Sequence, residues 1–218
     1  RHPPPAPVSD RLAGRRLYLC TPDRPDLAAF VAACVRGGVD VVQLRDKELD
    51  DRDQVARARV LQRLCTGLGV PFVLNDRPDL AAEAGADGVH VGQEDAAPDG
   101  ARRLLGPEAV IGRSTHSPED LARAADEPVD YLSAGPVEPT PTKPGRPGTG
   151  AVYAGLATAR AGKPVFVTGG VTPATVPGLA AAGVRRFVVV RWLTGSNEPE
   201  AAARALRQAV DRALAATA

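Results

Sequence analysis

Methionine is absent from all 218 residues, position 1 included, which raises the expectation that a few residues precede the first arginine. Cysteine is scarce. Cys20, Cys34 and Cys65 lie far apart, lack the spacing of a metal knuckle or a redox pair, and by their odd number argue against a secreted disulfide framework. A reducing cytoplasm fits that usage best. Charge of one sign is missing too: 27 Lys and Arg stand against 26 Asp and Glu, a formal net charge of +1. No overall basic field therefore recruits nucleic acid or an anionic membrane, and any anion recognition has to be local. No apolar run approaches the length of a membrane span, and the start, RHPPPAPVSD, lacks the apolar core of a signal peptide. It reads as a flexible, polyproline-like tail over residues 1–15, ahead of a single domain over 16–218. With 44% hydrophobic content the chain can bury one good core but not two.

What is present is a repeat. Short apolar or β-branched runs recur, each followed by a polar or glycine-bearing end and then by an amphipathic stretch rich in Ala, Leu and Arg. The runs are Leu17 to Cys20, Val41 to Leu44, Pro71 to Leu74, Gly88 to Val91, Val110 to Gly112, Tyr131 to Ser133, Val165 to Val167 and Phe187 to Val190. Each is too short for a helix and too continuously apolar for a half-exposed strand, as expected of parallel strands buried on both faces. Helix starts are marked by Ser117 before Pro118 and by Thr172 before Pro173, and helix ends by Gly37, Gly38, Gly67, Gly69, Gly85 and Gly183. The last helix is expected at roughly Pro199 to Ala215. Eight such units predict an α/β fold, a single (β/α)8 TIM barrel. An open doubly wound sheet is the competing architecture, but the first strand leads into TPDRPD and not into GxGxxG.

In such a barrel the loops that leave the C-terminal strand ends meet on one face. The second strand runs out as QLRDK, so Gln43, Arg45 and Lys47 share a side. These two cations either meet an anionic ligand or pair with Asp46, Glu48 or Asp50. The third end, LNDRPD, places Asn75 and Asp76 at the rim, and HVGQED after the fourth adds Glu94 and Asp95. Carboxylates from neighbouring strands facing nearby cations suit Mg²⁺, which takes one or two carboxylates plus substrate oxygens. Alternatively, Asp76 and Asp95 are helix caps ahead of Pro78 and Pro98.

The fifth end, GRSTHS, carries Ser114 and His116, with no cysteine or serine pattern that would make His116 a triad member. His90, inside a strand, reads as an interior residue. After the sixth run comes GPVEPTPTKPGRPGTG, stiffened by five prolines and carrying Thr140, Thr142, Lys143 and Arg146. It is either an anion-binding loop or a solvated surface loop. VTGGVTP after the seventh strand offers Gly169 and Gly170 ahead of a helix capped by Thr172, and Arg191 follows the eighth, together a position where barrels commonly bind phosphate.

QLRDK, LNDRPDLA, GADGVHVGQED, IGRSTHS, GPVEPTPTKPG and TGGVTP, in that order, resemble thiamin-phosphate synthase (thiamin-phosphate pyrophosphorylase) over nearly the whole chain from Leu17. The resemblance implies a TIM-barrel transferase of thiamine biosynthesis. It joins 4-amino-2-methyl-5-(diphosphooxymethyl)pyrimidine to 4-methyl-5-(2-phosphooxyethyl)thiazole and releases pyrophosphate with Mg²⁺. It further implies that Gln43, Arg45, Lys47, Asn75, Ser114 and Lys143 contact the pyrimidine diphosphate, with Arg45, Lys47 and Lys143 catalytic through its leaving group. Asp76 and Asp95 would hold the metal, and Thr140, Thr142, Gly170, Val190 and Arg191 would surround the thiazole phosphate. The partners are then small molecules, with neither nucleic acid nor membrane, and a homo-oligomer stays open. Two positions depart from the family pattern: Val167 to Gly170 replace a Gly-Ile-Gly-Gly turn, and Arg191 replaces a serine. The rival readings are a thiazole tautomerase-like barrel, with His116 as acid or base, and a non-catalytic phosphate-binding barrel.

Overall fold

The apolar runs pair side by side as strands β1 (Leu17–Thr21), β2 (Val41–Leu44), β3 (Phe72–Asn75), β4 (Gly88–Val91), β5 (Val110–Thr115), β6 (Tyr131–Ala134), β7 (Val165–Val167) and β8 (Phe187–Val189). In the computed structural model, which describes residues 10–141, 145 and 147–217, all neighbours are parallel and β8 returns to β1, closing an eight-stranded barrel. Around it run α1 (Leu27–Arg36), α2 (Asp51–Leu68), α3 (Pro78–Ala84), α4 (Pro98–Leu105), α5 (Pro118–Ala125), α6 (Gly150–Arg160), α7 (Val176–Ala181), α8 (Arg191–Thr194) and α9 (Pro199–Ala215). No helix among the described residues is long and apolar enough to cross a membrane.

Period-two alternation divides the buried residues into two cores. Outward strand residues such as Leu17, Leu19, Val42, Leu44 and Ile111 pack against the helices. Tyr18, Val41, Val73, Val110, Tyr131, Phe166 and Val188 fill the barrel interior. The interior turns polar toward the C-terminal ends, where Gln43, Asn75, His90, Ser114 and Ser133 point inward and are buried. Leu12, on a 3-10 turn spanning Asp10–Leu12, is fully buried in the interior cluster. Leu12, within the stretch expected to be tail, therefore packs into the barrel. Residues 1–9 lie outside the described residues.

Helix boundaries follow local chemistry. Ser117 caps α5 by accepting from the Asp120 amide, while the Asp120 carboxylate accepts from the amide of His116. Gly69 and Gly85 end α2 and α3 in the left-handed conformation. One expected start is displaced: α7 begins at Val176 with Thr175 as cap residue. Thr172 instead closes a preceding turn, in which its amide donates to the Thr175 hydroxyl. Gly67, expected as a helix stop, lies inside α2.

Candidate active site

The C-terminal ends of the strands surround one cavity of about 1060 Å³. From β2 it takes Gln43, Arg45 and Lys47. Two of the three carboxylates beside the two cations are occupied elsewhere: Asp46 accepts from the amides of Asp23 and Glu48, and Asp50 caps α2, while Glu48 lines the cavity. Arg45 is left with no hydrogen-bond or ion-pair partner for its guanidinium among the described residues. The Lys47 ammonium instead reaches across to Asp76, 3.2 Å away.

Asp76 follows β3 in the left-handed region at φ 64°, the one non-glycine residue with positive φ among those described. That conformation costs an L-residue about 1 kcal/mol. The Asp76 amide is held by the His90 carbonyl at 2.7 Å, and the next amide, of Arg77, turns back to the Asn75 carbonyl. The strained turn aims the Asp76 side chain into the cavity, where it meets Asp95 from the β4 loop within hydrogen-bonding reach. Burial, and next the facing Asp95 carboxyl, hold the Asp76 carboxyl above the usual carboxylate range, with Lys47 opposing. Neither aspartate caps a helix: the cap residues of α3 and α4 are Arg77 and Ala97. Glu94, expected beside Asp95 at the rim, is solvent-exposed and does not line the cavity.

Asp95 is itself positioned. Its Oδ2 accepts from the Gly92 amide at 2.7 Å, and the Gly92 carbonyl accepts from Arg113 at 2.7 Å. Arg113, on the outer side of β5, is anchored in turn by Glu127. Two carboxylates are too few to enclose a metal alone, and no group of three His, Cys, Asp or Glu side chains among the described residues does so. Two acids carrying an adverse mutual charge, with an ammonium drawn onto one of them, form a donor set that suits a hard divalent cation sharing substrate oxygens.

Asn75, Ser114, His116 and Thr140 also line the cavity. The His116 Nδ1–H donates to the Gly135 carbonyl at 2.6 Å. Gly169 and Gly170 follow β7 with positive φ, and a Cβ on Gly170 would collide with the Glu138 carboxylate of the β6 loop. Glycine is required at Gly169, where a Cβ would collide with the Val137 amide and the Pro136 backbone of the β6 loop, and is favoured at Gly170 by its left-handed φ of 74°. Val190 and Arg191 complete the rim, Arg191 being exposed and without a partner for its guanidinium among the described residues. Thr142, Lys143 and Arg146 lie outside the described residues.

Several lining residues were not singled out from the sequence: Tyr18 and Cys20 of β1, Tyr131 and Ser133 of β6, and Trp192 after Arg191. The first four had a readable signal, since a polar atom at every second position of an otherwise apolar buried strand points inward. Trp192 had none, because it belongs to a short helix after β8.

Residues 17–193 match the family model for thiamine monophosphate synthase. A thiamine-phosphate synthase of Mycobacterium tuberculosis is 45% identical over 217 residues, covering 93% of this chain and 98% of the relative. One from Thermus thermophilus is 49% identical over 199 residues, covering 88% and 96%. Among solved structures, the thiamine phosphate pyrophosphorylase of Pyrococcus furiosus superposes with a TM-score of 0.84 at 27% identity, covering 95% of this chain and 99% of its own. A 3-hexulose-6-phosphate synthase, at 22% identity and a TM-score of 0.64, shares the fold. With a match of that extent joined to this arrangement of strand ends, the chain belongs to the thiamine monophosphate synthase family.

Proposed function

We propose that this chain is a transferase of thiamine biosynthesis. It condenses 4-amino-2-methyl-5-(diphosphooxymethyl)pyrimidine with 4-methyl-5-(2-phosphooxyethyl)thiazole, giving thiamine monophosphate and pyrophosphate. The observation that carries this reading is the Asp76, Asp95 and Lys47 cluster beside the unpartnered Arg45, in one cavity with a buried Gln43. A diphosphate with its divalent cation gives all four charged groups a partner, the cation for the two aspartates and the oxygens for Lys47 and Arg45, whereas a tautomerase acting on the thiazole phosphate alone leaves the acid pair and Arg45 without one.

Asp76 and Asp95 would hold Mg²⁺, which when bound supplies positive charge against the diphosphate oxygens. Arg45 and Lys47 add fixed cations along the same diphosphate, joined by Lys143 from the proline-rich loop, and Asn75 donates its amide to it. Gln43 and Ser114 receive the pyrimidine. Thr140, Thr142, Gly170, Val190 and Arg191 take the phosphate of the thiazole, so that the thiazole nitrogen faces the pyrimidine methylene.

The methylene C–O bond then breaks heterolytically. Its electron pair leaves with the diphosphate, the aminopyrimidine ring delocalises the positive charge, and the thiazole nitrogen lone pair forms the new C–N bond. No side chain needs to act as a nucleophile. The protein's contribution is to align the two rings, to neutralise the leaving group and to keep water away from the electron-poor carbon. Incubation with both substrates and Mg²⁺ should yield thiamine monophosphate and pyrophosphate in equal amounts. Isomerisation of the thiazole phosphate in place of condensation would instead assign the tautomerase reading.

A further inference from the structure

Beneath the charged rim a continuous series of neutral hydrogen bonds crosses the barrel. The Cys20 thiol donates to Gln43 Oε1 at 3.3 Å, and Gln43 Nε2 donates to the Tyr18 hydroxyl at 2.7 Å. The hydroxyls of Tyr18 and Tyr131 are 2.8 Å apart, and the Tyr131 hydroxyl lies 2.9 Å from His90 Nδ1. His90 Nε2 is 2.9 Å from the Ser114 hydroxyl. All six residues are buried. All six border the cavity; Gln43 and Ser114 are the two placed against the pyrimidine, and Tyr18, Tyr131 and His90 carry the connection between them.

Each hydroxyl owns one proton but can accept twice, so the direction is set by which proton would otherwise be left without a partner in the series. Tyr18 accepts from Gln43, and its own buried proton finds an acceptor in the series only at Tyr131, which then donates to His90 Nδ1. His90 is thereby the neutral tautomer protonated on Nε2, and it donates to Ser114. Ser133, 3.4 Å from the same oxygen, donates to it as well. The Ser114 proton is left to point at the ligand. Burial raises the pKa of both phenols, which keeps their protons in place. The sequence accommodates the series at Gly112, where a Cβ would collide with both the Tyr131 ring and His90 Nδ1. Only glycine on β5 lets those two groups meet.

We propose that Tyr18, Tyr131 and His90 are positioning residues that select the pyrimidine, holding this series in one direction. Ser114 then presents a donor, and Gln43 presents its second N–H beside its second carbonyl lone pair. Together they complement a ring with an acceptor nitrogen next to an amino group. The proposal rests on the functional reading above in placing the aminopyrimidine on Gln43. The direction of the series does not depend on that reading.

The first test is histidine ¹⁵N NMR on the ligand-free full chain, with His90 assigned by its loss in His90→Gln or by elimination in a variant carrying both His2→Gln and His116→Gln. The expected result is a proton on Nε2 and a bare Nδ1. A proton on Nδ1 would reverse the series and overturn the proposal. In Tyr131→Phe the tautomer balance of His90 should shift; an unchanged spectrum would mean that the phenol does not set it.

The second test is kinetic, on Tyr131→Phe and Tyr18→Phe, which keep the packed rings. KM for the pyrimidine diphosphate should rise about tenfold, the loss expected for a buried hydrogen bond whose partners stay unsatisfied. KM for the thiazole phosphate should change by less than about twofold. A lower melting temperature with both KM values unchanged is the outcome of a purely structural role and sinks the idea. Should the wild-type chain form no thiamine monophosphate, the functional reading fails, while the NMR result still decides the direction of the series.

Discussion

At the scale of single residues, Asp76 combines a backbone burden with an electrostatic one. It occupies a left-handed turn, and its carboxyl faces that of Asp95. Asparagine tolerates the left-handed region better than most residues, so Asp76→Asn isolates the charge. The substitution should cut kcat by about 10²- to 10³-fold with no loss of melting temperature, read by steady-state kinetics and thermal unfolding. Asp76→Ala should lose as much activity and, in addition, about 1 kcal/mol of stability. Arg191 poses the converse question. Its guanidinium has no partner among the described residues, so Arg191→Ser should raise KM for the thiazole phosphate more than KM for the pyrimidine diphosphate, and the opposite ordering would displace it from the phosphate. The fate of Arg45 and Lys47 was undecidable from sequence because Asp46, Glu48 and Asp50 stand beside them. Only the folded chain commits Asp46 to two amides and Asp50 to a cap. For the cysteines, burial pushes the thiols of Cys34 and Cys65 up to about 12. At pH 8 roughly one in ten thousand of each is thiolate. Alkylation of the native protein at these two sites should be negligible until denaturant is added, as mass spectrometry of iodoacetamide-treated samples would show.

At the scale of elements, helix ends obeyed local rules where a single residue type dictates the conformation. Gly69 closes α2 at φ 70°, with nothing within 4 Å of where a Cβ would sit. Gly69→Ala should therefore cost about 1 kcal/mol, purely from the left-handed backbone. Thermal unfolding should move down by about 2 to 4 °C with kinetic constants unaltered. The start of α7 was misplaced because Thr172 and Thr175 are both plausible caps three residues apart, and the turn between them uses both hydroxyls. The strands were the most legible elements. All eight runs formed, differing from expectation by a few residues at their ends; β1, β3, β5 and β6 run further than the apolar signal, whereas β8 stops one residue short. β5 extends through Ser114 and Thr115. Tyr18 and Tyr131, near the starts of their strands, were missed for another reason: a tyrosine within an apolar run reads as core, and its hydroxyl matters only once a partner from a distant strand is known.

At the scale of the whole molecule, the repeat of strand and helix made the closed barrel legible, and closure alone brings six separated motifs to one mouth. What the repeat could not supply is the pairing of Asp76 with Asp95, which depends on a strained turn after β3 and on Arg113 holding the loop after β4. This division between scaffold and rim has a thermodynamic consequence. The acid pair sits at the edge of an already complete core, so folding does not require a metal, and a chelator should leave the melting temperature of the ligand-free chain unchanged. Binding at the rim still adds to stability through mass action, because only the folded chain assembles Arg45, Lys47 and the two aspartates. Inorganic pyrophosphate alone brings negative charge to two carboxylates, and Mg²⁺ alone lacks the further oxygens it needs; each should bind weakly. Supplied together at about 100 times their joint dissociation constant, they should stabilise the chain by about 2.7 kcal/mol. That corresponds to roughly 5 to 10 °C for a protein of this size. Scanning fluorimetry with each component and with both reads the effect directly. A rise with pyrophosphate that is indifferent to Mg²⁺, or that survives Asp76→Asn, would remove the two aspartates from diphosphate recognition.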